Sequence, residues 1–182
     1  MKVLQSARLT LRPIQADDLA WVTSLGADPR VMALLGGTRS PVQVQAWLAR
    51  ELEHHQRYGY GRNLVSFNGE PIGLVGLTRS DFDSGIVPGI EIAWQLAHAH
   101  WGQGFATEAA ESVLQDAFAS HAIRELIAIT SVDNARSRQV MARLGMRQSV
   151  GETFEHPQLP VGHPLRTHVV YRLTLPRESA HT

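Results

Sequence analysis

The residues best placed to do chemistry lie in the stretch His100-Trp-Gly-Gln-Gly-Phe-Ala-Thr-Glu108. An extended apolar run, Ile90-Glu-Ile-Ala-Trp-Gln-Leu96, enters it, and an amphipathic stretch over residues 105–119 leaves it. A strand, a glycine turn and a helix start together make an anion site. Gly102 and Gly104 have no Cβ, so backbone N–H groups can approach a bound group, and the first helical turn adds unpaired donors and a positive dipole end. A phosphorylated ligand is the first expectation, set against a turn that only reverses the chain. A second polar turn follows at Asp133-Asn-Ala-Arg-Ser137. There Ser137, Val140, Met141 and Leu144 share one helical stripe, which puts a hydroxyl among hydrophobic side chains. Ser137 either bonds to local backbone or faces the mouth of the parallel strands, where open α/β sheets bind ligands.

Composition narrows that chemistry. The chain has 182 residues, a formal net charge of +0 and no cysteine. Disulfides, thiolate nucleophiles and cysteine metal sites are therefore excluded, and the overall charge gives no footprint for nucleic acid or an anionic membrane. No apolar run approaches the roughly 20 residues of a membrane span, and residues 1–5 lack the apolar core of a signal peptide, so a cytoplasmic location is expected. Lys2 is the only lysine. A lysine-bearing nucleotide-phosphate loop is thus absent, and bound phosphates must rely on backbone, hydroxyls or arginine. His98-x-His100 and the scattered His156, His163 and His168 lack the spacing of a zinc motif, so they are expected to be solvated loop residues and no metal is expected.

The elements that must position these residues follow from periodicity. Arg8-Leu-Thr-Leu-Arg12 reads as a short strand with Leu9 and Leu11 inward. Asp17 or Asp18 should cap a helix carrying Leu19, Val22 and Leu25, ended near Gly26. Ser40-Pro41 with Gln43 forms a capping box for a second helix bearing Val44, Trp47, Leu48, Glu51, Leu52 and His55. Leu64–Phe67 and Pro71–Leu77 flank an Asn68-Gly69 hairpin turn, and residues 80–89 read as a loop. A strand over residues 125–132 follows the amphipathic helix, so strand, crossover and strand predict a parallel pair. Asp133 or Asn134 caps a second crossover helix ending at Leu144-Gly145. Two more strands are expected, near 149–155 and 167–175, around a loop over 156–166. One α/β domain is predicted over 1–182, with a folded core of about 8–175 and a tail at 176–182.

With these motifs in place the sequence resembles the GCN5-related N-acetyltransferases, and within them the ribosomal-protein and N-terminal alanine acetyltransferase branch. The likeness is carried by Leu9-Thr-Leu-Arg-Pro13, Pro71–Leu77, Glu91-Ile-Ala-Trp94, Trp101–Ala109, Asp133–Ser137 and Leu144-Gly-Met146. The family's glycine pattern opens with Gln or Arg where this chain has Trp101, a change the closer branch shares. The resemblance implies a mixed, mostly antiparallel sheet with a central parallel pair flanked by helices. It also implies acetyl-CoA as co-substrate, its pyrophosphate wrapped by Gly102, Gln103, Gly104, Phe105, Ala106 and Thr107. Its pantetheine arm would pair with the backbone of Trp94, Gln95 and Leu96, and Asn134 and Ser137 would lie by the arm and the sulfur.

Such a reaction has its own demands. An ammonium acceptor must lose a proton before attack, so a base is required. Glu91 is the first candidate, with Glu152, Glu155, His168 and water as rivals. Backbone N–H groups of Trp94–Leu96 suit an oxyanion, and Ser137 suits the leaving thiolate. The expected partners are acetyl-CoA and an amine, either a peptide N-terminus or a small molecule, with neither nucleic acid nor membrane. A homodimer is compatible with apolar positions on the last strand. Two other readings compete: a non-catalytic acyl-CoA sensor, and a dinucleotide-binding oxidoreductase using Gly102-x-Gly104, for which Asp133 stands too far downstream.

Overall fold

The computed structural model describes residues 2–79, 89–121 and 123–174. Among the described residues the strands are β1 (Leu4–Gln5), β2 (Leu9–Pro13), β3 (Arg62–Phe67), β4 (Glu70–Arg79), β5 (Ile90–Leu96), β6 (Glu125–Ser131), β7 (Arg147–Glu155) and β8 (Thr167–Thr174). They form one sheet in the order β1-β2-β3-β4-β5-β6-β8-β7. All neighbours are antiparallel except β5 and β6, which are parallel. The β3–β4 hairpin closes on Asn68 and Gly69, with φ of 51° and 83°, the left-handed pair of a two-residue turn.

Helices cover both faces. α4 (Phe105–Ser120) buries Phe105, Ala109, Ala110, Val113, Leu114 and Ala117, the stripe that its 3.6-residue period predicts. With α5 (Ala135–Arg143) it shares a core with Leu11, Val65, Ile92, Leu96 and Leu126. On the opposite face lie α1 (Leu19–Ala27), α2 (Pro29–Met32) and α3 (Pro41–Tyr58), packed over Leu64 and Leu74. Full burial of each large side chain contributes about 1.5–3 kcal/mol. The capping box at α3 forms as expected, with the Ser40 Oγ accepting from Gln43 N and Gln43 Oε1 accepting from Ser40 N.

Several expectations require correction. Asp18 does not cap α1 with its side chain. It turns back to accept from Arg12 at 2.5 and 2.8 Å and from Gln15 N at 2.8 Å, because a buried carboxylate gains more from a guanidinium fork than from one N–H. Three helices, not two, stand between β2 and β3, since Asp28 and Pro29 start the short α2. The last strand, β8, is internal, and Val169, Val170 and Tyr171 are buried, so it offers no apolar edge for a dimer. The predicted loop over 80–89 lies, apart from Gly89, outside the described residues, as does the tail over 176–182.

Candidate active site

The parallel pair creates the site. β4 and β5 are in register over seven residue pairs, whereas β5 and β6 register only at Glu91↔Ile127. Beyond that point the backbone groups of β5 that face β6 have no strand partner, which is how a sheet receives the amide groups of an extended ligand. Ile90, Ile92, Trp94 and Leu96 face α4. Glu91, Ala93 and Gln95 therefore face the α1–α3 layer, and Gln95 Nε2 lies 3.1 Å from Met32 Sδ.

A cleft of about 360 Å³ opens where β5 ends. Trp94, Gln95, Leu96, Gly102, Gly104, Phe105, Ala106 and Thr107 line it from one side, and Asn134 and Ser137 from the other. The two polar turns thus meet, as their places after neighbouring parallel strands require. Gln103 does not line the cleft: its amide donates to Ala99 O at 3.1 Å. Glu91 also lies outside it, on the α3 side of the sheet. A larger cavity of about 570 Å³ at the other end of the sheet, reached by Tyr60 and His121, contains none of these residues.

The turn is built to receive an anion. Gly102 and Gly104 have φ of 75° and 80°, and a Cβ at Gly102 would project into open space. No side chain caps α4. Thr107 Oγ1, on the cleft wall, is buried and has no hydrogen-bond partner, an arrangement that costs free energy unless a ligand satisfies it. These features fit the pyrophosphate of acetyl-CoA. Gly104→Ala should weaken acetyl-CoA binding by about tenfold, because the left-handed conformation that the turn requires costs an L-residue about 1–2 kcal/mol. Calorimetric titration checks this, and unchanged affinity would remove the turn from the site.

Contacts that the sequence could not disclose, both local and long-range, hold the turn. The Trp101 indole donates to Leu96 O at 2.8 Å, which gives the tryptophan a structural reason at a position where the family pattern has Gln or Arg. The Arg136 guanidinium lies 4.8 Å from the Trp101 ring centre and lines the cleft, adding a cation. Outside, Arg8 donates to Glu108 at 2.6 Å and to Gln103 O at 3.1 Å.

Asn134 caps α5 by accepting from Ser137 N at 3.1 Å. Ser137 Oγ is not used by local backbone. It accepts from the Trp94 indole at 3.1 Å, and because an indole only donates, the Ser137 O–H stays available to donate elsewhere. Glu91 as a residue is half-buried with its carboxyl set deeper. Burial pushes that carboxyl up to about 7, with Arg62 opposing the rise and Glu51 adding to it.

The rival bases are differently placed. Arg172 Nε donates to Glu152 at 2.9 Å and holds its carboxyl below the usual range, and Glu155 pairs with Arg166 at 3.0 Å. His156 and His168 are not solvated loop residues. Both are half-buried, with ring centres 4.7 Å apart, beside Phe154. Burial and the neighbouring His168 push His156 down to about 4, and burial lowers His168 as well. His168 Nδ1 lies 3.1 Å from Arg166 O, which assigns the proton to Nδ1. His168 stands on β8, beyond β6 from β5. Among the described residues no group of three or more His, Asp or Glu is arranged to hold a metal, and no helix is long and apolar enough to cross a membrane.

This combination of sheet, splayed parallel pair and glycine turn defines an acyltransferase of the acetyltransferase class. The sequence profile of the acetyltransferase (GNAT) domain matches residues 8–147, and the chain belongs to that family. It is 28% identical over 149 residues to the uncharacterized protein YkkB of Bacillus subtilis, covering 80% of this chain and 86% of that one. An acetyltransferase from Agrobacterium tumefaciens superposes with a TM-score of 0.78 at 26% identity, over 96% of this chain and 95% of that one. The fold is also that of RimL, a ribosomal L7/L12 alpha-N-protein acetyltransferase solved in complex with coenzyme A, with a TM-score of 0.77 at 17% identity over 96% and 98% of the two chains. These neighbours include the branch that the sequence resembles. The dinucleotide reading is set aside, because a single parallel pair is not the parallel sheet such a fold needs.

Proposed function

We propose that the protein transfers the acetyl group of acetyl-CoA to a primary amine, either a polypeptide N-terminus or a small molecule, by direct attack on the thioester. The observation that carries this reading is the placement of Ser137 and Glu91 on opposite faces of the sheet, beside the splay between β5 and β6. When bound, acetyl-CoA supplies the activated acyl carbon. The Gly102–Thr107 turn, Asn134 and the free backbone edge of β5 hold it, while N–H groups of Trp94–Leu96 stabilise the oxyanion.

The amine enters from the α1–α3 side, where Glu91 takes the ammonium proton directly or through water. As the new C–N bond forms and the C–S bond breaks, the Ser137 O–H donates to the departing sulfur from the α5 side, and the second proton shed by the attacking nitrogen restores the hydroxyl, so that CoA leaves as the thiol. A carboxyl near 7 is matched to this task at neutral pH, whereas Glu152 and Glu155 are occupied by arginines. RimL acts on a protein N-terminus, which supports including peptides among the acceptors. Thiol release should be screened with N-terminal peptides, polyamines and aminoglycosides. Release dependent on one of these classes is expected, and binding of acetyl-CoA without release across the panel would favour a sensor.

A further inference from the structure

Glu91 stands in a partly buried charge cluster assembled from three distant segments. Arg62 on β3 pairs with Gly76 on β4, which pairs with Ala93 on β5, and in the adjoining row Thr78 pairs with Glu91. Arg62 and Glu91 therefore share the α3-facing side, with the position between Arg62 and β5 occupied by a glycine. A Cβ at Gly76 would collide with the Gly61 carbonyl and the Arg62 Cα, so the sheet keeps this lane clear of side chains. From above, Glu51 of α3, 8% exposed, approaches Arg62 with 3.9 Å between Oε2 and Nε.

Neither atom of that contact has a hydrogen-bond partner, although both are buried. A closed buried ion pair would satisfy both, since an unsatisfied buried charge is costly. Arg62 is held near Glu51 without being consumed by it. Arg39, half-buried and lowered by desolvation and by Arg62 and Arg50, completes the charged surroundings together with Glu51.

Building on the assignment of Glu91 as the base, we propose that Arg62 and Glu51 form a positioning pair that sets the protonation of Glu91, Arg62 being shared between the two carboxylates. When Glu91 is ionised, Arg62 compensates it; when Glu91 has taken the acceptor's proton, Arg62 is released to Glu51. The pair touches no reacting atom. Its role is to keep the base near neutrality in a site where burial alone would hold it protonated.

The test is the pH profile of kcat/KM for wild type, Glu91→Gln, Glu51→Gln, Arg62→Gln and Arg62→Lys. Wild type should show an acid limb that Glu91→Gln abolishes. Removing Glu51 deletes a like charge and frees Arg62, so the limb should move to lower pH. Removing Arg62 should move it to higher pH, with roughly tenfold less activity at pH 7 per unit moved and recovery at alkaline pH. Arg62→Lys should restore most of the position. Carboxyl NMR titration of Glu91 in the same folded variants reads the shift without turnover. Limbs that stay put or move together, with NMR agreeing, would overturn the pairing while leaving Glu91 as base. An acid limb surviving in Glu91→Gln would overturn both.

Discussion

Glu91→Gln is expected to lower kcat/KM by about 10²–10⁴ at pH 8, the usual contribution of a positioned base, and to make the protein more stable at that pH. The two effects share one cause. In the unfolded chain the carboxyl titrates at its ordinary 4.5, and in the folded protein at about 7. Below 4.5 both states hold the proton. As pH rises to 7 the unfolded state loses it first, so the stability present at acid pH declines and is lost above 7.

The gap corresponds to at most about 3 kcal/mol, and Gln, which never ionises, removes the penalty. For a chain of this size that is several degrees of Tm. The gain should vanish near pH 4.5, which separates it from a general packing effect. Thermal scans at both pH values, paired with turnover, check the prediction. A slow enzyme that is also less stable at pH 8 would mean that Glu91 serves the fold rather than the reaction.

Ser137→Ala should reduce turnover by about one to two orders of magnitude while changing the acetyl-CoA dissociation constant by no more than about threefold. The reason is the direction of its hydrogen bond. Because Ser137 accepts from Trp94, its proton is left for a group that develops negative charge during the reaction, and losing such an interaction lowers kcat rather than affinity. The indole N–H then loses a partner, so stability should also fall by about 1–3 kcal/mol. Stopped-flow turnover with separately measured binding distinguishes the cases. Loss of stability with full turnover would reduce Ser137 to a prop for Trp94 and remove it from the mechanism.

Both proposed positions can be singled out in the sequence, for different reasons. Ser137 was visible because a hydroxyl interrupts an apolar i, i+3, i+4, i+7 stripe, and the cleft was visible because Gly102 and Gly104 punctuate the passage from strand to helix. β5 and α4 are local patterns, and α4 exceeds its expected end by one residue. What stayed hidden is set by partners far away in the chain. Arg12 draws Asp18 from its cap, Arg136 of α5 stacks on Trp101, and Arg8 holds Glu108 across 100 positions. The internal place of β8 depends on strand order, which periodicity does not encode, so its apolar residues read as an exposed face. Likewise His156 and His168 acquire their shared burial only once β7 and β8 pair. Glu91 shows the limit most clearly: its position was legible, but its environment comes from α3 and β3.

In the proposed mechanism both substrates meet at one splay and an amine leaves acetylated. The most direct measurement of this is mass spectrometry of the acceptor alongside thiol quantification, using the purified protein, acetyl-CoA and the amine panel. One N-acetylated primary amine is expected per CoA released, with the ratio maintained while Glu91→Gln and Ser137→Ala lower the rate. CoA release without an acetylated amine, or tight acetyl-CoA binding with no product from any amine, would contradict it.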